Sequence, residues 1–171
     1  MRFTSSRETR HMTFKKTLLA GLALAGIAAT AAIGDSHADK AAMQAVKARQ
    51  ATMQLYAFNL GTLGGMAKGE IDYDAEAASA AANNLAALSG MNQMAMWPMG
   101  SDSDTLGEAT SALPAIWAEG SDIGDHSAAL HEAATALAST AGDGLDALRG
   151  GIGAVGKECG ACHEDYRKPN S

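Results

Sequence analysis

Four stretches of the chain carry apolar residues at helical spacing, and none shows the strict alternation of a half-buried strand. The first is predicted over about Lys40 to Met66, with Met43, Val46, Gln50, Met53, Ala57 and Leu60 on one face. Gly64, Gly65 and Gly69 weaken and end it. The second runs from Asp74, an N-cap residue type, to near Met94, with Ala78, Leu85 and Leu88 on its seam. A long connection follows, "MWPMGSDSDTLGEATSALPAIW", interrupted by Pro98 and Pro114. The third helix is expected from Asp122 to Ala141, with Ile123, Leu130 and Leu137 seven apart. The fourth is expected from Asp143 to Tyr166. In it Leu145, Leu148, Ile152, Val155, Cys159, Cys162 and Tyr166 keep spacings of three and four throughout. Amphipathic helices joined by short links and one long one predict an all-α, antiparallel, left-handed four-helix bundle.

Ahead of these elements the pattern changes. Lys15 and Lys16 precede an uncharged apolar run, Thr17 to Ile33, and Ser36-His37-Ala38 then forms a small-x-Ala cleavage pattern. This predicts a secretory signal peptide over 1–38, with Met12 as an alternative start, and a folded domain over 39–171. Of the 13 basic and 19 acidic residues, 8 and 17 stay after cleavage, a net charge of −9. So acidic an exported domain is a poor partner for nucleic acid or an anionic membrane, and the bacterial periplasm is its expected location.

The last helix carries the chemistry. Gly150, Gly151, Gly153, Gly156 and Gly160 all lie inside it. Each costs a helix up to ~1 kcal/mol against alanine. Either neighbouring helices simply tolerate them, or something flat and bulky must approach this backbone. The chain's two cysteines stand in the same helix, in Cys159-Gly-Ala-Cys162-His163. C-x-x-C-H is the pattern for covalent attachment of c-type haem. Positions three apart share a helix face, so two thiols can meet two vinyl groups of one porphyrin edge, and the histidine can turn beneath the ring. A thiol–disulfide centre uses C-x-x-C at the start of a helix that follows a strand, and no strand is predicted. A zinc site would need His126 or His131 without supporting spacing, and both read as solvated helix residues.

These features together resemble the cytochrome c prime family, class II c-type cytochromes with haem attached near the C-terminus. "VKARQATM" (Val46 to Met53) is similar to the family's first helix. "TSALPAIW" (Thr110 to Trp117) is similar to its segment before the third helix, and "CGACHEDYRK" (Cys159 to Lys168) to its terminal helix. The resemblance implies one haem c per chain, held by Cys159 and Cys162, with His163 as axial iron ligand. It implies that Arg49 and Gln50 lie near the haem propionates, with Ser111 or Thr110 as a weaker candidate. Arg167 would stand beside the proximal histidine, and Trp97 would pack on the haem. The alternative for either arginine, less favoured, is a surface charge. Met53 falls at the family's distal position. A homodimer through the first two helices is also implied, with Tyr56 and the rest of the first helix toward the partner.

Two functions then compete. With five-coordinate, high-spin iron under a crowded apolar pocket, the protein would bind nitric oxide or carbon monoxide. With Met53 sulfur on the iron, it would be a low-spin electron carrier with redox partner proteins. The signature resembles the high-spin branch, which favours the first. Both allow one-electron transfer, and neither supplies a substrate-turnover site, so the chain is not read as an enzyme.

Overall fold

Alanine-rich, proline-free sequence forms the helices, and the chain breaks where glycine, proline or a capping side chain intervenes. The computed structural model describes residues 27–169. Met12, Lys15, Lys16 and most of the predicted signal segment lie outside them. The chain divides into two units, Met1–His37 and Ala38–Ser171, and the second contains the bundle.

Helix α1 spans Ile27–Lys68, starting thirteen residues before the expected Lys40. No proline separates Ile27 from Lys40, and alanine-rich sequence propagates helix through this stretch. Gly64 and Gly65 do not end it. Gly69 does, at φ 77°, with Gly69 N–H on Met66 O (3.0 Å) and Glu70 N–H on Gly65 O (2.8 Å). This is a Schellman cap, and an L side chain at Gly69 would be strained. Helix α2 covers Ala75–Gly90, and Asp74 Oδ1 accepts from Ala77 N–H at 2.7 Å, as its residue type predicts. A four-residue helix, α3 (Ser103–Leu106), sits inside the long connection. Helix α4 is Ile123–Ala138 and α5 is Leu145–Tyr166. The only strand-like pairing among the described residues is an isolated bridge between Ala112 and Arg167.

Hydrogen bonds fix the topology. Tyr73, in the link after α1, donates from its hydroxyl to Ala141 O (2.8 Å) and accepts from Gly144 N–H (3.0 Å). The α1–α2 and α4–α5 links therefore share one end of the bundle, and consecutive long helices run antiparallel. The connection closes the other end. There Leu113 N–H bonds Tyr166 O (3.0 Å) and Lys168 N–H bonds Ser111 O (2.8 Å).

The main core joins Tyr56, Leu63 and Met66 of α1, Ala81 and Leu85 of α2, Leu137 of α4, and Leu148 and Val155 of α5. Small alanines let α2 approach α4, and α4 approach α5, closely. The predicted seams of α2, α4 and α5 are the ones that face inward: Ala78, Leu85, Leu137, Leu148, Val155 and Tyr166 are all buried.

Helix α1 is rotated from its predicted phase. Gln50, Met53 and Ala57 are exposed, while Ala45, Arg49, Thr52, Tyr56, Asn59, Leu63 and Met66 join Val46 inside. Polar residues are tolerated there because each has a partner. Thr52 Oγ1 donates to Ala48 O (3.0 Å), Asn59 Nδ2 donates to Leu55 O (2.8 Å), and Asn59 Oδ1 accepts from Asn84 Nδ2 (3.0 Å). Tyr56, expected toward a partner subunit, is instead 6% exposed in the core.

Tyr73→Phe keeps the ring but removes both link-to-link hydrogen bonds. It should cost about 1–2 kcal/mol, read as a lower denaturation midpoint with unchanged helicity by circular dichroism.

Candidate haem site

The C-x-x-C-H motif occupies the last two turns of α5. Cys159 and Cys162 lie on its inward side as unpaired, half-buried thiols. Cys159 borders the main core, and Cys162 borders a second cluster of Ala112, Ile116, Tyr166, Trp97 and Trp117. Burial pushes both thiols above their ordinary pKa, with smaller contributions from Glu158 at Cys159 and from acidic neighbours at Cys162. A thiol–disulfide enzyme needs the opposite shift, because the thiolate is its nucleophile. Beside them, burial first and Arg167 second lower the pKa of His163. Both effects favour the unprotonated imidazole, the form that can bind a metal.

Two helix shoulders border this motif. Asn59 turns one side of α1 toward α2 through Asn84. At 100° per residue, Met53, Ala57, Leu60 and Gly64 occupy the opposite shoulder, which adjoins α5. On α5, Arg149 Nε donates to Ala67 O of α1 at 2.7 Å. Gly153, Gly156, Gly160 and His163 share the shoulder of Arg149. A Cβ added at any of these three glycines would meet no heavy atom within 4 Å. A flat group can thus lie along the α1–α5 seam with its edge at the two thiols, and the residues present fit haem c. Gly151 differs, since its added Cβ would stand 2.9 Å from Leu137 Cδ1, and helix packing explains that glycine without any cofactor.

The connection walls one end of the seam, and Arg49 builds the wall. Arg49 is 3% exposed. Nη1 donates to Met96 O (3.2 Å) and Ser101 Oγ (2.7 Å), and Nη2 to Ser101 O and to Thr110 Oγ1 (2.8 Å). Its guanidinium also lies over the Trp97 ring, 4.7 Å from the centroid. It is thus no surface charge, and these donors are committed to the connection. Burial lowers its pKa, and the charge of Asp102 opposes that shift. Asp102 caps α3, and the hydrogen bonds it accepts, from Thr105 N–H above all, hold its carboxyl below the ordinary range. Gln50 Nε2 donates to Ala109 O (3.0 Å). Thr110 is buried on Arg49, whereas Ser111 is exposed and contributes its backbone carbonyl to Lys168. Trp97 rests against Trp117, whose Nε1 donates to Trp97 O at 3.0 Å. Arg167 is exposed at the end of α5, and Met53 is 39% exposed on its shoulder.

His126 is not simply solvated. Its side chain, 17% exposed, stands 3.7 Å from Asp122 and 3.6 Å from Asp165, edge-on to Tyr166. The Tyr166 hydroxyl donates to Asp122 Oδ1 and accepts from Asp122 N–H (3.0 Å). This contact anchors the haem-motif end of α5 to the start of α4. Sequence pattern showed Tyr166 as core and Asp122 as a cap, but not that they meet. His131 is exposed, and its Nδ1 lies 3.1 Å from Ser89 Oγ.

An antiparallel bundle whose last helix ends in this motif defines a helical c-type haem protein. A family model for cytochrome c' matches residues 44–167. The chain is 42% identical over 125 residues to cytochrome c-554 of Cereibacter sphaeroides, covering 72% of this chain and 92% of that one. It is 35% identical over 153 residues to cytochrome c' of the same species, covering 90% and 97%. A solved cytochrome c' from a Rhodobacter species superposes with a TM-score of 0.72 at 36% identity, covering 75% and 98%. Two further solved relatives bear on ligand binding and assembly. One cytochrome c' shows ligand-controlled dimer dissociation (TM-score 0.69, 28% identity, 75% and 97% covered). The other is the nitric oxide complex of a leucine-to-alanine variant of cytochrome c' from Alcaligenes xylosoxidans (TM-score 0.65, 32% identity, 75% and 97% covered). The chain belongs to the cytochrome c' family.

Removing the Arg49 cation leaves Ser101 and Thr110 without their buried donor. Arg49→Gln should lower stability by about 2–3 kcal/mol and speed limited proteolysis between residues 94 and 110. Arg49→Lys should not restore either property, because one ammonium cannot span the acceptors that the planar guanidinium reaches.

Proposed function

We propose that the chain is exported, loses residues 1–38, and serves in a bacterial periplasm as a five-coordinate haem protein that binds nitric oxide or carbon monoxide. In this reading Cys159 and Cys162 carry one haem through thioether bonds and His163 is the axial ligand. Haem c supplies a one-electron couple and an iron position for a diatomic gas. The remaining work falls to the chain. Buried Cys159 and Cys162 fix the ring edge. Tyr166, held by Asp122, sets the final turn of α5 and with it the direction of His163. Burial first, and Arg167 second, lower the pKa of that imidazole. Trp97, braced by Arg49, walls the ring's edge. Gln50 and Arg49 are assigned to the end of the seam that takes the propionates.

The observation that carries the reading is the α1 shoulder across from His163. Met53, Ala57 and Leu60 are apolar and offer no hydrogen-bond donor, and the amide of nearby Gln50 is committed to Ala109. A pocket without a donor does little for dioxygen, which gathers negative charge when bound, and still admits the less polar gases. The nitric oxide complex of the Alcaligenes relative supports the assignment. Gas binding and electron transfer need no turnover site, so the chain is proposed as a non-enzymatic carrier.

Intact mass of the matured protein should exceed the 39–171 polypeptide by one haem, and Cys159→Ala with Cys162→Ala should abolish the difference. Release of haem into acidified organic solvent would refute the covalent link. The spin state rests on Met53. Met53→Ala should open the pocket so that carbon monoxide binds ferrous protein faster and more tightly, while the resting spectrum stays high-spin. Because Met53 is already 39% exposed, its truncation should cost less than the ~2–5 kcal/mol of a buried methionine. A wild-type protein that is low-spin in both oxidation states, and turns high-spin in Met53→Ala, would establish methionine ligation and electron carriage instead.

A homodimer through α1 and α2 is part of the same proposal. Leu55 and Phe58 are 51% and 72% exposed on α1, beside a groove lined by Asn84, Ala87, Leu88 and Met91 of α2 and its C-terminal end. Ligand-controlled dissociation in one relative supports such an interface. Sedimentation at micromolar concentration should show two chains per particle, and Phe58→Glu should give monomers with an unchanged haem spectrum. A wild-type monomer at that concentration would refute the dimer.

A further inference from the structure

His126 is placed unlike the other histidine of α4. It stands in the first turn of that helix with its side chain 17% exposed, whereas His131 is open to solvent. Its Nε2 lies 3.7 Å from Asp122 Oδ1, at the N-cap of its own helix, and 3.6 Å from Asp165 Oδ2, in the last turn of α5. The Tyr166 ring packs edge-on against it, with centroids 5.9 Å apart. Asp125 precedes it on α4 and is exposed. Asp122, Asp165 and Tyr166 are thus the titratable groups that face His126, and they come from both helices.

Both nitrogen–oxygen distances are too long for a hydrogen bond and short enough for an ion pair. The two contacts therefore depend on charge. A neutral ring gains little from either carboxylate at these lengths, whereas an imidazolium attracts both. The hydrogen bond from Tyr166, above all, holds the Asp122 carboxyl below its ordinary range, with burial opposing this and the charge of His126 adding to it. Asp122 is therefore anionic wherever an imidazole changes charge. The free carbonyls that end α5 also favour a cation, and the first turn of α4 disfavours one, so the carboxylates decide the balance. The cluster borders the haem motif. Tyr166 packs with Cys162, and His163 stands three residues before Tyr166.

We propose that His126 is a proton-operated clasp between the start of α4 and the motif-bearing end of α5, closed when its ring is charged and open when it is neutral. The stabilisation is present at acid pH and is lost as the pH rises and the ring gives up its proton. The hydrogen bonds between Tyr166 and Asp122 persist in both states, so opening loosens the last turn of α5 without releasing it. The consequence rests on the haem reading. The turn that loosens carries His163, so the proton on His126 acts on the axial ligand from outside the iron's own ligand set. His126 is in this sense a positioning residue.

The test uses matured, haem-loaded protein, with intact mass confirming the haem, at about pH 5 and about pH 8, the limits between which an imidazole changes charge. Amide hydrogen-exchange protection factors, which correct for the intrinsic pH dependence of exchange, are read over residues 161–167. In the wild-type chain they should fall by about two- to tenfold between the two pH values, the worth of one or two exposed ion pairs. His126→Gln keeps a polar side chain without the charge, and its protection should match the wild-type alkaline value at both. The iron–histidine stretching band of the ferrous protein, read by resonance Raman, should shift with pH in the wild-type chain and stay fixed in His126→Gln. Wild-type protection that does not change with pH, an equal change in the variant, or an iron–histidine band that does not follow the exchange overturns the proposal. If the mass shows no haem, the covalent reading fails separately, and the exchange comparison still decides the clasp.

Discussion

Arg49 and Asp102 are the two charged residues buried among the described residues, and the end of the bundle closed by the connection is organised around them. Arg49 belongs to α1, but every acceptor it meets belongs to the connection. The connection in turn bonds the end of α5 through Leu113, Ser111 and the Ala112–Arg167 bridge. One guanidinium therefore links α1, by way of the loop, to the end of α5. A buried cation is tolerable only if nearly all its donors are satisfied. Here two acceptors are the hydroxyls of Ser101 and Thr110, and the charge of Asp102 stands nearby. The far end is tied by Tyr73. Between these two ties lies the open shoulder of Gly153, Gly156 and Gly160, where a Cβ would meet nothing within 4 Å and a flat cofactor can lie.

How much of this was legible in the sequence depended on what held each element. Helices α2, α4 and α5 declare themselves because their inward faces are apolar and regular, and their starts lie within two residues of Asp74, Asp122 and Asp143. The haem motif was legible for the same reason that makes it chemical, since two thiols and a histidine at fixed spacing serve few other purposes. Helix α1 misled. Its most apolar stripe, through Met53, Ala57 and Leu60, is the shoulder facing the seam, whereas its core stripe contains Arg49, Thr52 and Asn59. A period-counting rule scores hydrophobicity and cannot see hydrogen-bond partners that lie 52 residues away at Ser101 or 25 residues away at Asn84. Tyr56 was lost with the same phase error. The Tyr166–Asp122 contact, at a separation of 44 residues, was hidden for the same reason, because neither residue type demands the other.

The glycines of α5 show how folding and cofactor are coupled. Gly150, Gly153, Gly156 and Gly160 meet nothing within 4 Å of a would-be Cβ, so helix packing does not require them. At up to ~1 kcal/mol each, four such glycines weaken α5 by about 3–4 kcal/mol against alanine. That is a large share of the ~5–15 kcal/mol by which a typical domain is stable. Gly150 lies more than two turns before Cys159, far from the motif, and fits the simple account of a helix tolerated by its neighbours. Gly153, Gly156 and Gly160 lie on the shoulder of His163, where a side chain would stand between the backbone and a ring attached at Cys159 and Cys162. The helix that carries the haem motif is thus the one least able to hold its own conformation. Contacts with a covalently held ring would return that stability locally, on the shoulder where the sequence gives it up.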